Sequence, residues 1–312
     1  MNVNDQQDLA LAALEKYLET KSHSALTKFW QLYPRPIPNW HLTMMNDKPR
    51  NDFYYGEIKA RATDKIVVDL GCGSGLLTQY ALEAGAKHIY AIEQDPVLQK
   101  CFAFAFREEI KNGRVTLLAK SSQALTVEDF AFGKPELIIH EIFGKALFNE
   151  RVLETFNDLF SRKVFEETTD FIPQKFSLMA CLHEQEKFGS KIKDPKYSEK
   201  FWFLEDISYF GVSSSQDKEG QDVSPAFEIF SIDLMTLTDK LESEVTINAA
   251  NDGNMLRVWF ELQGDKNHLS TDVQANPDNH WGNSKFFVRF KQGEVNLKST
   301  YANGKFLTYA KK

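Results

Sequence analysis

Residues 67–76 read Val-Val-Asp-Leu-Gly-Cys-Gly-Ser-Gly-Leu, an apolar strand running into glycines and then into the start of a helix. Glycine lacks a Cβ, so such a loop lets the backbone approach a ligand closely. The flanking chain follows the same rhythm. Lys65–Asp69 predicts a buried strand, Leu76–Ala84 the helix behind it, and His88–Ile92 a second strand. Asp95-Pro96 predicts a helix cap with proline in the first turn, and that helix is expected to reach about Lys111. Val115–Leu118 and Leu137–His140 supply two more strands. Short strands separated by helices imply a parallel sheet with right-handed crossovers.

Outside this region the pattern changes twice. Upstream, Asp5–Thr20 places Leu11, Leu14 and Leu18 at helical spacing with Asp5 as cap, and Ser24–Leu32 predicts a second helix. Pro34, Pro36 and Pro38 then predict an extended connector. These helices show no sign of chemistry and are expected to pack on the next domain or on a partner. Downstream of Pro173 the period drops to two. Phe176–Leu182, Phe227–Leu234, Val245–Ala249, Leu256–Leu262, Lys285–Phe290 and Phe306–Tyr309 read as strands, with turns at Asp252-Gly253, Gly264-Asp265 and Asn303-Gly304. The expected organisation is therefore a helical segment at 1–38, an α/β domain at 39–172 and an antiparallel, β-barrel-like domain at 173–312.

Composition narrows the class. The chain has 312 residues, 42% hydrophobic and 26% charged, as an ordinary globular enzyme does. A net charge of −7 argues against a grip on nucleic-acid backbone, which needs clustered Lys and Arg, and is compatible with a basic substrate. Cys72, Cys101 and Cys181 form no CxxC pair and no disulfide ladder, so a reducing compartment is expected and zinc is not. The first 18 residues include Asp5, Asp8, Glu15 and Lys16 and lack a signal-peptide core. No apolar run nears the roughly 18 residues of a membrane span. The expectation is a cytoplasmic protein that meets neither nucleic acid nor membrane.

Two sites stand out. The dinucleotide fingerprint would need glycine at position 76, where this chain has Leu76. Gly71, Gly73 and Gly75 instead fit the S-adenosylmethionine loop of Rossmann-like methyltransferases, with Asp69 before it. Glu93, at the end of the second strand, can accept both ribose hydroxyls. Cys72 reads as a small packing residue. The second site is His140-Glu141-Ile142-Phe143-Gly144-Lys145-Ala146-Leu147-Phe148-Asn149-Glu150, two carboxylates nine positions apart around a Gly-centred loop. The loop follows the buried run Leu137-Ile138-Ile139, where open α/β sheets keep their ligands. Two acids there suit a cation.

Together these motifs resemble the protein arginine methyltransferase family, over nearly everything from Trp40 onward. Asp69–Glu93, with Ala84-Gly85-Ala86-Lys87, resembles its cofactor half, and His140–Glu150 its double-glutamate loop. Asn279-His280-Trp281 is similar to its Thr-His-Trp loop, with Asn for Thr. Trp40-His41 through Met44, Asp47 and Arg50 is similar to the segment that closes over the cofactor. The resemblance implies S-adenosyl-L-methionine as cofactor and an arginine-containing protein or peptide as substrate. By position, Glu141 and Glu150 would grip the guanidinium, with His280 supporting them in a relay with Asp47. Arg50 would pair with the cofactor carboxylate and Glu93 with its ribose. His41, Asp69, Gly71, Gly73 and Gly75 complete the cofactor set, and Gln123 falls near the place of the adenine-contacting acid. Met44 and Trp281 would line the acceptor side.

Some features depart from the family pattern. Its Tyr-Phe-x-x-Tyr signature is missing, since Gln31–Arg35 reads Gln-Leu-Tyr-Pro-Arg. Gly211–Phe227 is short for its helical dimerisation arm, which leaves the head-to-tail homodimer open. Two alternatives remain beside arginine methylation in proteins. One is methylation of a small guanidino or amine metabolite; the other is a cofactor-binding module without turnover.

Overall fold

The computed structural model describes residues 3–33, 37, 40–166, 168–185, 195–200, 212–214, 220–238 and 240–311. The expected proline connector at Pro34, Pro36 and Pro38 lies outside the described residues. The chain divides into two compact units. The first is Met1–Ile142, Asp158–Pro173 and Asp265–Asn267; the second is Phe143–Asn157, Gln174–Gly264 and His268–Lys312.

In the first unit, α1 (Val3–Thr20), α2 (His23–Leu32), α3 (Trp40–Asn46) and α4 (Lys48–Arg61) precede an alternation of strands and helices. That alternation is β1 (Ile66–Leu70), α5 (Leu76–Glu83), β2 (His88–Ile92), α6 (Pro96–Ala105), α7 (Arg107–Lys111), β3 (Val115–Leu118), β4 (Leu137–His140), α8 (Val152–Ser161), of which only Asp158–Ser161 belongs to this unit, and β5 (Asp170–Ile172). The sheet order is β3-β2-β1-β4-β5, and every neighbouring pair is parallel. Every residue of β1, β2 and β4 is buried, as befits strands covered on both faces. The order reverses at β1, between β2 and β4, so the carboxyl ends of these three strands flank the topological switch point.

Several expectations are corrected here. Asp5 lies inside the first turn of α1 rather than at its cap, where its charge still complements the helix dipole. The single helix expected from Asp95 to Lys111 is two, because Phe106 leaves helical geometry at φ −109°, ψ 25°. Its ring stacks on Phe102 at 4.5 Å and occupies the space beside Gly75. The helices α3 and α4 were not foreseen: the buried face of α4 interleaves the polar Arg50 and Glu57 with Phe53, Tyr54 and Ile58, and its cap Asp47 is buried too. The N-terminal helices pack on α6, where Ala10, Ala13, Leu14 and Phe29 gather around Val97.

The described residues of the second unit are mostly strand. It comprises β6 (Lys175–Glu184), α9 (Pro195–Lys200), β7 (Val212–Ser214), β8 (Gln221–Asp222), β9 (Phe227–Asp233), β10 (Lys240–Ala249), β11 (Gly253–Gln263), β12 (His268–Ser270), β13 (Asn283–Phe290), β14 (Gly293–Ala302) and β15 (Lys305–Ala310). Seven of these form one sheet along β7-β13-β11-β6-β8, with β12 on β11 and β9 on β6, while β10-β14-β15 form another. The pairings are antiparallel. β14 was not foreseen although Val295, Leu297, Ser299 and Tyr301 alternate inward along it; an inward serine breaks the apolar rhythm. The Asn303-Gly304 turn has both residues at positive φ, 51° and 74°, as a two-residue hairpin of type I′ needs. The stretch read as a shortened arm, 211–227, lies partly outside the described residues; within it β7 and β8 join the seven-strand sheet. Among the described residues no helix is long and apolar enough to cross a membrane.

Candidate active site

The loop after β1 is shaped by its glycines. Gly71, Gly73 and Gly75 have φ of 78°, 53° and 96°, a region that costs residues bearing a Cβ dearly. The N–H groups of Gly71 and Cys72 both donate to the Ile92 carbonyl at 3.0 and 2.9 Å, which fastens the loop to the end of β2. One residue on, Glu93 accepts the Gly73 N–H at 2.9 Å and the Asp95 N–H at 2.7 Å, one on each carboxylate oxygen. Burial pushes the Glu93 carboxyl up, and these backbone donors oppose the shift. Beneath the loop Asp69 accepts the Thr78 hydroxyl at 2.6 Å, while its buried Oδ1 has no hydrogen-bond partner among the described residues. Burial raises its carboxyl to about 6 against the two Thr78 bonds. The Cys72 thiol is buried and pushed far up by desolvation, so it packs rather than reacts.

Helix α3 lies along this loop. A Cβ added at Gly73 would stand 3.9 Å from His41 Cε1, and the Ser74 hydroxyl points to the Met45 sulfur at 3.7 Å. Burial lowers the His41 pKa, with Asp95 opposing. Met44 is half-buried on the same helix. Asp47 caps α4 by accepting the Arg50 N–H at 3.1 Å.

Arg50 is almost fully buried, and its guanidinium forms an ion pair with Glu141. Its Nη1 donates to Asn51 at 2.7 Å, and its Cζ sits 5.2 Å from the centre of the Tyr54 ring. Among the described residues its buried Nε has no hydrogen-bond partner. Burial pushes the guanidinium down, with Tyr54 foremost among the groups opposing; the carboxylate beside it keeps it charged. Tyr54 donates to the His140 carbonyl at 2.9 Å, tying α4 to β4 one residue before Glu141. The His140 imidazole meets the Pro173 carbonyl at 2.9 Å and is lowered to about 4 by burial, hence neutral.

In the second unit, residues 143–151 make a tight loop. Leu147 donates to Gly144 at 2.8 Å, Arg151 to Phe148 at 2.9 Å, and Ala146 to the Asn149 side chain at 3.0 Å. A Cβ at Gly144 would collide with Asn149 Cβ at 2.3 Å, so this glycine answers to space. Glu150 is exposed as a residue, yet partial desolvation of its carboxyl pushes the pKa up. Trp281, expected to touch substrate, has a different visible task. It is 3% exposed, and its indole N–H donates to the Phe143 carbonyl at 3.0 Å, which fixes the start of the loop. His280 lies against the Trp281 ring at 3.9 Å. Asn279 brackets its own turn, donating to the Thr271 and Asn276 carbonyls at 3.0 and 2.6 Å and accepting the Gly282 N–H at 2.7 Å.

The first unit thus gathers His41, Arg50, Asp69, the three glycines, Glu93 and Glu141 at the carboxyl ends of its central strands. Glu150, His280 and Trp281 belong to the second. Gln123 is exposed on a single turn after β3. Thr78, Tyr54 and Asn51 support the site and were not anticipated. Thr78 alone had a signal, standing one turn into the helix that the glycine loop starts.

A buried strand-loop-helix with three left-handed glycines and an acid ending the next strand defines a Rossmann-like methyltransferase unit. Accordingly the family model described as ribosomal protein L11 methyltransferase (PrmA) matches residues 57–141. The wider likeness is to arginine methyltransferases. Protein arginine N-methyltransferase 1 of Chlamydomonas reinhardtii is 25% identical over 272 residues, covering 80% of this chain and 74% of that protein. Probable histone-arginine methyltransferase 1.3 of Arabidopsis thaliana is 24% identical over 266 residues, 76% of this chain and 48% of that one. The chain thus spans about half the length of the Arabidopsis relative. Among solved structures, the PRMT1 enzyme–prozyme heterotetramer of Trypanosoma brucei with AdoHcy is similar with a TM-score of 0.69 at 17% identity, covering 88% of this chain and 98% of that one. Protein arginine methyltransferase 10 of Arabidopsis thaliana is similar at 0.67 and 16%, covering 87% and 96%. The chain has the fold of the protein arginine methyltransferase family and is related to its members along 76–80% of its length.

Proposed function

We propose that this chain is an S-adenosylmethionine-dependent N-methyltransferase acting on arginine in proteins or peptides. One observation carries the reading: Glu141, at the end of β4 and in the same unit as the glycine loop, already holds a guanidinium, that of Arg50. The likeness to proteins named arginine methyltransferases supports it. The cofactor assignment rests on fit. The left-handed glycines bare the loop's peptide groups, Glu93 keeps lone pairs for ribose hydroxyls beyond its two backbone bonds, and the buried Arg50 Nε lacks an acceptor.

When bound, S-adenosylmethionine supplies a methyl activated by a positively charged sulfur. The chain's own residues have to make a nucleophile of a guanidinium, whose charge is delocalised and whose pKa exceeds about 12. Glu141 and Glu150 are assigned to clamp it, orienting one nitrogen and drawing positive charge onto the others. Bringing two cations to ~4 Å costs about 4 kcal/mol at an effective dielectric near 20, so acidic compensation is required. Orientation contributes further. Glu141 or His280 takes the proton lost from the attacking nitrogen. Arg50 is assigned to the carboxylate of the cofactor, and Met44 to the wall of the acceptor pocket. The free thiols of Cys72, Cys101 and Cys181 favour a reducing, cytoplasmic setting.

The test is transfer of labelled methyl to arginine-rich peptides. Glu141→Gln and Glu150→Gln are each expected to abolish labelling while cofactor binding persists. Labelling that survives unchanged in either would remove that residue from its role. Labelling of free guanidino compounds but of no peptide would select the metabolite reading. Cofactor binding without transfer to any acceptor would select the non-catalytic one.

A further inference from the structure

The loop bearing Glu150 is held in a conformation that its own residues disfavour. Leu147 and Arg151, neither of them glycine, take φ of 66° and 59° on either side of Glu150. Such backbone persists only where surrounding packing over-determines it, and it clusters at functional sites. One residue of β14 contributes to that packing on both sides of the acid. Tyr301 is 1% exposed; its ring stacks on Phe148, two positions before Glu150, at 4.1 Å and 25°. Its hydroxyl donates to Glu154 at 2.7 Å, four positions after Glu150. Phe230 and Phe306 flank Phe148 at 6.2 and 6.3 Å and complete the apolar bed. Among the described residues the other Glu154 oxygen is buried with no hydrogen-bond partner, and the Tyr301 hydroxyl serves the first.

We propose that Tyr301 is a positioning residue for Glu150: one side chain grips the chain on both sides of the acid, by its ring before it and by its hydroxyl after it. The consequence for arginine transfer rests on the function proposed above; the hold on the loop does not. In that function Glu150 must meet a planar guanidinium within a fraction of an ångström, and loss of such alignment costs transfer on the order of tenfold to a hundredfold. Tyr301→Leu removes both contacts, Tyr301→Phe only the hydroxyl, and Glu154→Gln keeps an acceptor for that hydroxyl.

Hydrogen exchange and kinetics on the full chain decide it. Tyr301→Leu should speed exchange of the amides at 144–151 while those of the glycine loop at 71–75 keep their rates. It should lower kcat/KM for an arginine peptide and leave the KM for S-adenosylmethionine unchanged. Tyr301→Phe should act in the same direction less strongly, and Glu154→Gln least. Exchange at 144–151 that is unaltered in both Tyr301 variants, or that rises equally at 71–75, overturns the proposal. Should the unsubstituted protein transfer no methyl, the functional reading falls and the exchange pattern still decides the hold on the loop.

Discussion

Glu141 can be buried at the end of β4 because Arg50 is buried beside it. Each ion neutralises the desolvation cost of the other, and removing one leaves an uncompensated charge worth about 3–5 kcal/mol. Arg50→Ala is therefore expected to lower the unfolding free energy by roughly that amount, with denaturant titration as the measure. A loss no larger than that of an exposed pair, under ~1 kcal/mol, would mean the two do not depend on each other. Asp69 makes a different case, a buried acid in no ion pair among the described residues, with Arg50 acting on it only as a lesser opposing charge. Its carboxyl titrates at about 6 rather than 3.8. Because the folded value is raised, its contribution to stability is complete below pH ~4 and is lost as pH rises through about 6. The size is roughly 2–3 kcal/mol for such a shift. Asp69→Asn keeps an acceptor for Thr78 and cannot ionise, so its stability profile should lose this descent between pH 4 and 7. Parallel profiles for the two proteins would rule Asp69 out.

At the scale of elements, legibility followed the uniformity of each element's environment. β2 and β4 were read to the residue because a strand buried on both faces is a nearly continuous apolar run, each broken only by one terminal histidine. α4 was invisible because its buried face carries Arg50 and Glu57, whose partners lie far away in sequence: Glu141 for one, the N–H groups of Asp265 and Lys266 for the other. The three residues of β5 are too few to show any period. The break at Phe106 was hidden for a related reason, since nothing local announces that its ring must fill the space at Gly75. That contact yields a prediction. A Cβ at Gly75 would lie 2.2 Å from the Phe106 ring and in left-handed backbone at φ 96°. Gly75→Ala should destabilise by more than about 2 kcal/mol, combining backbone strain with overpacking. Adding Phe106→Leu should recover the steric share and leave the backbone share. A double variant as unstable as the sum of the two singles would show that the ring and the glycine are not in contact.

Over the whole molecule the candidate site was more legible than the way it is held. Motif spacing singled out Glu93, Glu141, Glu150 and the three glycines as candidates, but not Tyr54 or Tyr301, whose hydrogen bonds to His140 and Glu154 join distant parts of the chain. The net charge of −7 was legible too, and it bears on substrate choice. A protein of this sign attracts a cationic, arginine-rich peptide over distances comparable to the Debye length, ~10 Å at 0.1 M salt and ~3 Å at 1 M. Steering of this kind acts on encounter and not on the aligned complex. In the function proposed above, raising ionic strength across that range should therefore raise KM for an arginine-rich peptide several-fold, on the order of the tenfold that focusing can supply, and leave kcat nearly constant. A peptide with one arginine among acidic residues should show the reverse trend in KM, since screening then relieves repulsion. The pair of titrations separates long-range charge from local recognition. A salt response shared by both peptides would instead place the effect in local recognition of the arginine rather than in long-range charge.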